Sequence, residues 1–356
     1  MSSQPRVAVV RQFRETGGMP ESVLKGLRAL GADATMVYYA RALDPMKEAL
    51  RGPAAGFVYE MATEALRPLA DAMFIAEIAR LRPDLVLIFK NDGLSTATYR
   101  ALKLATSGVI AVFHPDDPFN VGRRVWFKRR GGPAHRRSRV AMREADVYLT
   151  WSDDLMRRAR AEGARRVEFM PFGCDPELHP RVDLAEVPDE LKADVVFIGS
   201  WDPERERWLR ALATLDDVDF ALWGGLWDTH CKDATLRRAW RGRPLVGREM
   251  SQAVAGGKIH VNILRRQNKR AHNMRTFEIP CAGGFMLHER SAEAARIFSP
   301  GEACDDFGTP EELCDKVRHY LAAPDERARI AEAGYRRAHE YTYTDWARRV
   351  LELTLG

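Results

Sequence analysis

His272-Asn273-Met274-Arg275-Thr276-Phe277-Glu278-Ile279-Pro280-Cys281-Ala282-Gly283-Gly284-Phe285-Met286-Leu287 is the stretch on which the reading of this chain turns. It opens on hydrogen-bonding side chains, passes through one carboxylate and closes on small residues and a short apolar run. That order describes a helix pointing its N-terminus into a crevice, followed by a strand. Free backbone N–H groups and a partial positive charge at such an end suit a phosphate or diphosphate. Arg275 and Glu278 lie three residues apart and share a helix face. Arg275 would add charge at a phosphate, and Glu278 would accept the two hydroxyls of a ribose. Asn273 and Thr276 add hydrogen-bonding groups at the same end. Gly283 and Gly284 end the helix and let the next strand start close by. The stretch reads as a grip for a nucleotide sugar. The plainer alternative is an amphipathic helix carrying a surface ion pair.

Immediately upstream, a strand-like run at residues 260–264 leads into Arg265-Arg266-Gln267-Asn268-Lys269-Arg270-Ala271. Cations beside a diphosphate would balance its charge. Arg265, Lys269 and Arg270 are the candidates. The residues do not say which of them points inward, and an exposed basic loop is the alternative for each.

Further outward, short apolar runs alternate with helical patterns along the whole chain. The runs fall at residues 7–10, 35–39, 85–89, 109–113, 147–150 and 167–170, then at 195–198, 220–223, 260–264 and 285–287. Strands alternating with helices predict an α/β fold with parallel sheets covered on both faces. Thr309-Pro310-Glu311-Glu312 predicts a capped helix start, and Ser152-Asp153-Asp154 another. Between the two series lies Met170-Pro171-Phe172-Gly173-Cys174-Asp175-Pro176-Glu177-Leu178-His179-Pro180, whose proline and glycine density marks a linker.

A chain of 356 residues has room for two domains. Its 46% apolar and 29% charged composition is that of a globular protein. No run of about 18 apolar residues suits a membrane span, and the N-terminus lacks a signal-peptide pattern. The five cysteines are odd in number and lack metal-ligand spacing, so reduced thiols and a cytoplasmic location are expected. The net charge of +5 sits in the first half. Residues 122–139 carry many cations and no acid. That segment is expected to dock peripherally on an anionic membrane or attract an acidic acceptor, or else to form a solvated basic face. Charge alone would also suit nucleic acid, a partner the rest of the sequence does not favour.

In the first half, the run 109–113 ends in His114-Pro115-Asp116-Asp117-Pro118. A histidine and two carboxylates at a strand's carboxyl end suit binding or deprotonation of an acceptor hydroxyl, with His114, Asp116 and Asp117 as the catalytic candidates. A turn in which Asp caps a helix is the alternative. Gly17-Gly18 after the first strand would let the chain pass close to a ligand, and Asp92 ends the third run. The glycine pair is not a GxGxxG fingerprint, so a dinucleotide cofactor is not expected.

Asn273 to Leu287 resembles the signature of the CgeB-like glycosyltransferases and the E-A-M-A-C-G-x-P-V tail of the wider group-1, family 4-like glycosyltransferases. On that tail Glu278 takes the place of the final glutamate and Gly283 that of the glycine. Arg270 stands where the wider family has its other glutamate. The linker is similar to the P-x-G-x-D crossover of the same group. The resemblance implies the GT-B fold: two Rossmann-like domains, at 1–175 for the acceptor and 190–340 for the donor, facing across a cleft. Residues 341–356 would form a helix packing back on the first domain. It also implies a transferase that moves a sugar from a nucleotide-diphospho-sugar, its co-substrate, to an acceptor hydroxyl. No cofactor or metal would be needed, and configuration would be retained. The acceptor class is open: a glycan, a lipid-linked sugar, a protein or a small molecule. By the same resemblance Gly199, Ser200 and Arg205 come near the donor phosphates, and the loop with Val246 holds the base through backbone groups. Arg270 in place of glutamate also admits a catalytically reduced nucleotide-sugar-binding or assembly protein, and the fold admits a nucleotide-sugar epimerase.

Overall fold

The computed structural model describes residues 4–12, 18–39, 61–62, 64–90, 93–119 and 133–356, with side chains from 137 onward in the helix that begins at Pro133. The chain divides into two compact units, Met1–Pro171 with Tyr343–Gly356, and Phe172–Thr342.

The first unit is built on a six-stranded sheet of order β2-β1-β3-β4-β5-β6. Its strands are β1 (Arg6–Arg11), β2 (Asp33–Tyr38), β3 (Leu85–Phe89), β4 (Val109–Phe113), β5 (Val147–Thr150) and β6 (Val167–Phe169). Every pairing is parallel. Leu85–Phe89 is buried along its whole length, as a central strand covered on both faces must be. Helices fill the connections, and Val10, Phe74, Ile88, Tyr99, Ile110 and Val112 belong to one core. The last helix, Tyr343–Leu355, packs on the helix Met19–Ala29 of this unit. A Cβ at Gly26 would stand 2.8 Å from the Thr344 Cα and the Tyr343 carbonyl, so only glycine lets the two backbones approach this closely. Trp346 is seated against Phe89 and Phe113, and its indole N–H donates to the Pro171 carbonyl at 3.1 Å.

The second unit carries the other six-stranded sheet, of order β12-β11-β10-β7-β8-β9. Its strands are β7 (Ala193–Ile198), β8 (Phe220–Trp223), β9 (Trp240–Gly242), β10 (Gly257–Asn262), β11 (Met286–Glu289) and β12 (Asp305–Phe307). All of these pairings are parallel too. One face is covered by a core around Phe197, Trp208, Ile259, Leu287 and Leu313, the other by Val196, Leu245, Met250 and Val254. Thr309 accepts the Glu312 N–H at 3.1 Å at the head of Pro310–Ala322, and Ser152 caps Asp153–Ala161 through the Asp154 N–H. Among the described residues no helix is long and apolar enough to cross a membrane.

The Gly26 contact makes an expectation of definite sign. Helix propensity alone favours Val over Gly, so Gly26→Val would stabilise an isolated helix. In the folded chain the added methyls meet backbone, and we expect a loss of about 1–3 kcal/mol in urea denaturation. An unchanged or raised midpoint would contradict the packing.

Candidate functional site

In the second sheet β7 and β10 are neighbours, but the chain leaves them in opposite directions, towards β8 and β11. A crevice opens where the carboxyl ends of such strands part. Ile198 ends β7 and Asn262 ends β10. Two arginines bind the carbonyls at this parting. Arg205, on the helix Pro203–Leu212, donates from Nη1 to the Ser200 carbonyl at 2.9 Å and from Nε to the Ile263 carbonyl at 3.3 Å. Arg275 donates from Nε to the Ile198 carbonyl at 3.4 Å and pairs through Nη1 with Glu278. Arg205 is only 7% exposed. Burial first, and then the charge of Arg265, push its guanidinium down to about 9, with Arg275 acting in the same direction against Asp202 and Glu289. An arginine so placed is still charged at neutral pH. The charges of Arg265 and Arg275 both act on Arg205, and a further anion beside it would relieve that repulsion.

The cations that the sequence left unresolved are now sorted. Lys269 is held by Glu204 and Glu289 at 3.0 Å each, and those bonds raise its pKa against burial. Arg270 is exposed and makes no ion pair or hydrogen bond among the described residues. Arg265 is half-buried, its Nε is shut off from solvent without a hydrogen bond, and no carboxylate pairs with it among the described residues. Arg265 and Arg270 are both unpaired among the described residues, and of these Arg265 is the half-buried one whose charge acts on Arg205. Lys269, expected on the donor, instead braces the loop.

The helix on which the reading turned is Arg275–Cys281, only 7 residues long. Its first turn is already occupied. The Asn273 Oδ1 accepts the Thr276 N–H at 3.1 Å, and the Thr276 hydroxyl accepts the Asn273 N–H at 3.2 Å, the reciprocal geometry of a capping box. Asn273 and Asn262 exchange amide bonds at 2.9 and 3.1 Å. The Thr276 hydroxyl meets His288 Nε2 at 2.9 Å, while His288 Nδ1 faces the Glu289 carbonyl at 2.5 Å. Thr276 is fully buried. Asn273 and Thr276, expected to touch a donor, thus moor the helix to β10 and β11 with their side chains. The charge at this end comes from arginine side chains more than from a two-turn helix. Glu278 is 3% exposed, with its carboxylate bound to Arg275.

Gly199 receives the Trp227 indole N–H on its carbonyl at 2.8 Å. Beside it Gly224, at φ +147°, has no room for a side chain: a Cβ there would lie 2.1 Å from the Gly199 carbonyl oxygen. The two strand-end turns touch backbone to backbone. Trp223 and Trp227 are core residues. Leu226 and Val246, 50% and 70% exposed, present apolar surface at the ends of β8 and β9, and Val246 heads the helix Gly247–Gly256 in extended conformation.

In the first unit Gly17 and Asp92 lie outside the described residues. Gly18, at φ +103°, stands at the head of Met19–Ala29. His114 is buried, its Nδ1 lies 2.8 Å from the Asp116 carbonyl, and its own carbonyl accepts the Trp151 indole N–H. Asp116 pairs with Lys90 at 2.9 Å. Asp117 accepts the Phe119 N–H at 2.8 Å and faces Arg158 at 3.5 Å. Asp117 therefore does the turn-capping job that the sequence also allowed. Of the basic segment, residues 120–132 lie outside the described residues, and Arg137 and Arg139 pair with Glu64 and Glu162.

Two residues of the second unit escaped the sequence reading. Glu289 ends β11 and accepts the Leu264 N–H at 2.9 Å. His179, from the linker motif, is buried within electrostatic reach of Glu278 and Arg275. Among the described residues no group of three His, Cys, Asp or Glu side chains is arranged to hold a metal ion.

Residues 205–352 match a family model described as glycosyl transferase-like. No curated protein sequence matches significantly. Among solved structures, the chain is similar to HepE of Anabaena in complex with UDP-glucose, at 12% identity, 98% of this chain, 99% of that one and a TM-score of 0.66. It is similar to sucrose-phosphate synthase from Thermosynechococcus elongatus, at 13% identity, 98% of each chain and a TM-score of 0.70. It is also similar to a glycosyltransferase from Rickettsia africae, at 13% identity, 98% and 97% coverage and a TM-score of 0.65. At these identities the likeness speaks for the fold, and that fold is GT-B.

Three buried histidines in this unit are held neutral by desolvation: His260 and His288, each pushed down to about 4, and His272 to about 3. Below pH 6.5 the unfolded chain takes up protons that the folded one refuses. Stability is therefore lost as pH falls from 6.5 towards 4, by up to about 1.4 kcal/mol per pH unit for each histidine, and is unaffected above 7. His260→Gln should flatten the acid limb of a urea-midpoint profile. An unaltered slope would show that His260 is not one of the groups responsible.

Proposed function

We propose that the chain is a glycosyltransferase that takes a sugar from a nucleotide-diphospho-sugar and passes it to an acceptor hydroxyl. The observation that carries this is the unpaired Arg265 guanidinium beside the buried Arg205, at the parting of β7 and β10. The glycosyl transferase-like match over 205–352 and the GT-B fold support it, and in the similar HepE structure the bound molecule is UDP-glucose.

In this reading Arg265, with the charge of Arg205 and Arg275 behind it, holds the diphosphate. Glu278 accepts the ribose hydroxyls, and the base lies along the apolar surface of Leu226 and Val246. Transfer forms a bond from the acceptor oxygen to the anomeric carbon and breaks the bond from that carbon to the phosphate oxygen. The nucleoside diphosphate leaves with the electron pair. Its developing charge is met by guanidinium groups fixed before the reaction begins, so a metal ion is not required for that step. We assign the acceptor to the first unit, at the carboxyl ends of β1, β3 and β4, near Gly18, Lys90, His114 and Asp116. The acceptor proton passes to the leaving phosphate, which goes with retention of configuration, as the family resemblance implies.

A second reading has one specific observation in its favour. Arg270 stands in place of the usual glutamate and is exposed, which suits a protein that binds a nucleotide sugar without turning it over. A panel of UDP- and GDP-sugars, followed by release of nucleoside diphosphate with and without sugar acceptors, separates the two. Release supports the transferase. Tight binding without release supports the second reading, and no binding of any donor overturns both.

Arg265→Met should weaken nucleoside-diphosphate binding by about 1.5–3 kcal/mol, the range for a hydrogen bond to a charged group, or roughly tenfold to a hundredfold. Lys269→Met should change it far less. Equal losses in calorimetry would contradict the assignment of Arg265.

A further inference from the structure

We infer that the second unit holds an anion-binding cavity at the amino ends of β10 and β11, the opposite end of the sheet from the parting of β7 and β10, and that it takes a phosphate monoester with a small apolar body. The inference does not depend on the donor-site reading.

A cavity of about 460 Å³ opens at those strand starts, within the ordinary range of about 300–1,000 Å³ for a small-molecule pocket. Its walls are the chain just after the linker, the end of the helix Gly247–Gly256 with the start of β10, the turn from Arg275–Cys281 into β11, and the helix Pro324–Ala338. Val254, Ala282 and Phe285, all buried, make part of the lining apolar. Arg181, Lys258 and Arg327 bring three cations to the same lining, against the single acid Glu332 among the described residues.

Two of the cations are already paired. Arg181 donates from Nη2 to Glu332 at 2.8 Å, and its guanidinium lies 3.9 Å over the Tyr335 ring. Gly283, at φ +87°, leaves room for that placement, since a Cβ there would stand 2.6 Å from the Arg181 Nε. Lys258 pairs with Asp194 at 2.7 Å. Arg327 is different. It is half-buried, its Nη1 donates to the Tyr320 carbonyl in the last turn of Pro310–Ala322, and no carboxylate pairs with it among the described residues. Its Nε and Nη2 make no hydrogen bond among those residues, and neither is sealed from solvent. Burial lowers its pKa against the pull of Asp194, and as an arginine it stays charged at neutral pH.

A guanidinium with free donors at the edge of an apolar wall suits an acidic head group on an apolar body. A phosphate monoester brings about −1.5 to −2 of charge and three strong acceptor oxygens, more than Arg327 alone would use. The Arg181 and Lys258 side chains are 45% and 55% exposed. Ion pairs that open to water are weak, so both cations are able to share a head group held by Arg327.

The test is calorimetry on the whole chain with hexyl phosphate, hexanoate, hexanol and inorganic phosphate. Hexyl phosphate should bind, and each of the other three should bind at least about tenfold more weakly. Arg327→Met should weaken hexyl phosphate about tenfold. Arg329→Met removes the same charge from the same helix outside the cavity lining and should leave binding unchanged, as should Arg265→Met at the other end of the sheet. Ala328→Trp keeps the Arg327 bond to Tyr320, fills the cavity from an exposed helix position and should also weaken binding. Binding of wild-type strength in both Arg327→Met and Ala328→Trp would overturn the inference, as would a wild type that binds none of the probes. A loss in Arg265→Met with none in Arg327→Met would move the anion to the donor end and overturn it equally. Hexanoate binding as tight as that of hexyl phosphate would overturn the choice of a phosphate.

Discussion

Like charges packed together at a strand end are an unfavourable arrangement unless something of opposite sign completes them. In the second unit the charges of Arg265 and Arg275 act on Arg205 where β7 and β10 part, offset in part by Asp202 and Glu289, while Glu278 pairs with Arg275. The fold tolerates this because Arg205 and Arg275 donate to the carbonyls of Ser200, Ile263 and Ile198, groups left over when parallel strands end. Arg265 has no such outlet. The positive charge at this end of the sheet sits where the strands terminate, and in the proposed reading Arg265 is the group that takes the anion.

Rigidity at the same place comes from a neutral network. Asn262, Asn273, Thr276 and His288 saturate one another, tying the short Arg275–Cys281 helix to two strands at once. A fully satisfied buried network of this kind fixes geometry. Glu278 and Arg275 are thus held on a moored helix, and a ligand would meet groups that need little reorganisation. Lys269 serves the same end from the other side, joining the Pro203–Leu212 helix region to β11 through Glu204 and Glu289.

Much of this was legible in the sequence. The central strands announce themselves as unbroken apolar runs, and residues 85–89, 109–113, 147–150 and 220–223 match the observed strands. The two edge strands of the second sheet did not. Trp240-Arg241-Gly242 is too short to show a pattern, and Asp305-Asp306-Phe307 carries two acids where a buried strand would carry none. Arg275 and Glu278 were named from their three-residue spacing on one helix face, and Arg205 from the family resemblance alone. That Lys269 is the paired one of the nearby cations was not legible, because Glu204 and Glu289 come from other elements. Nor was the burial of His179, a property of the folded chain alone.

The most direct measurement is a crystal structure of the chain soaked with a nucleotide-diphospho-sugar. The expected result is a diphosphate seated at the parting of β7 and β10, in contact with the Arg265 guanidinium, and a ribose on the Glu278 carboxylate. A donor bound elsewhere, with that parting filled by protein or left without a ligand, would contradict the account.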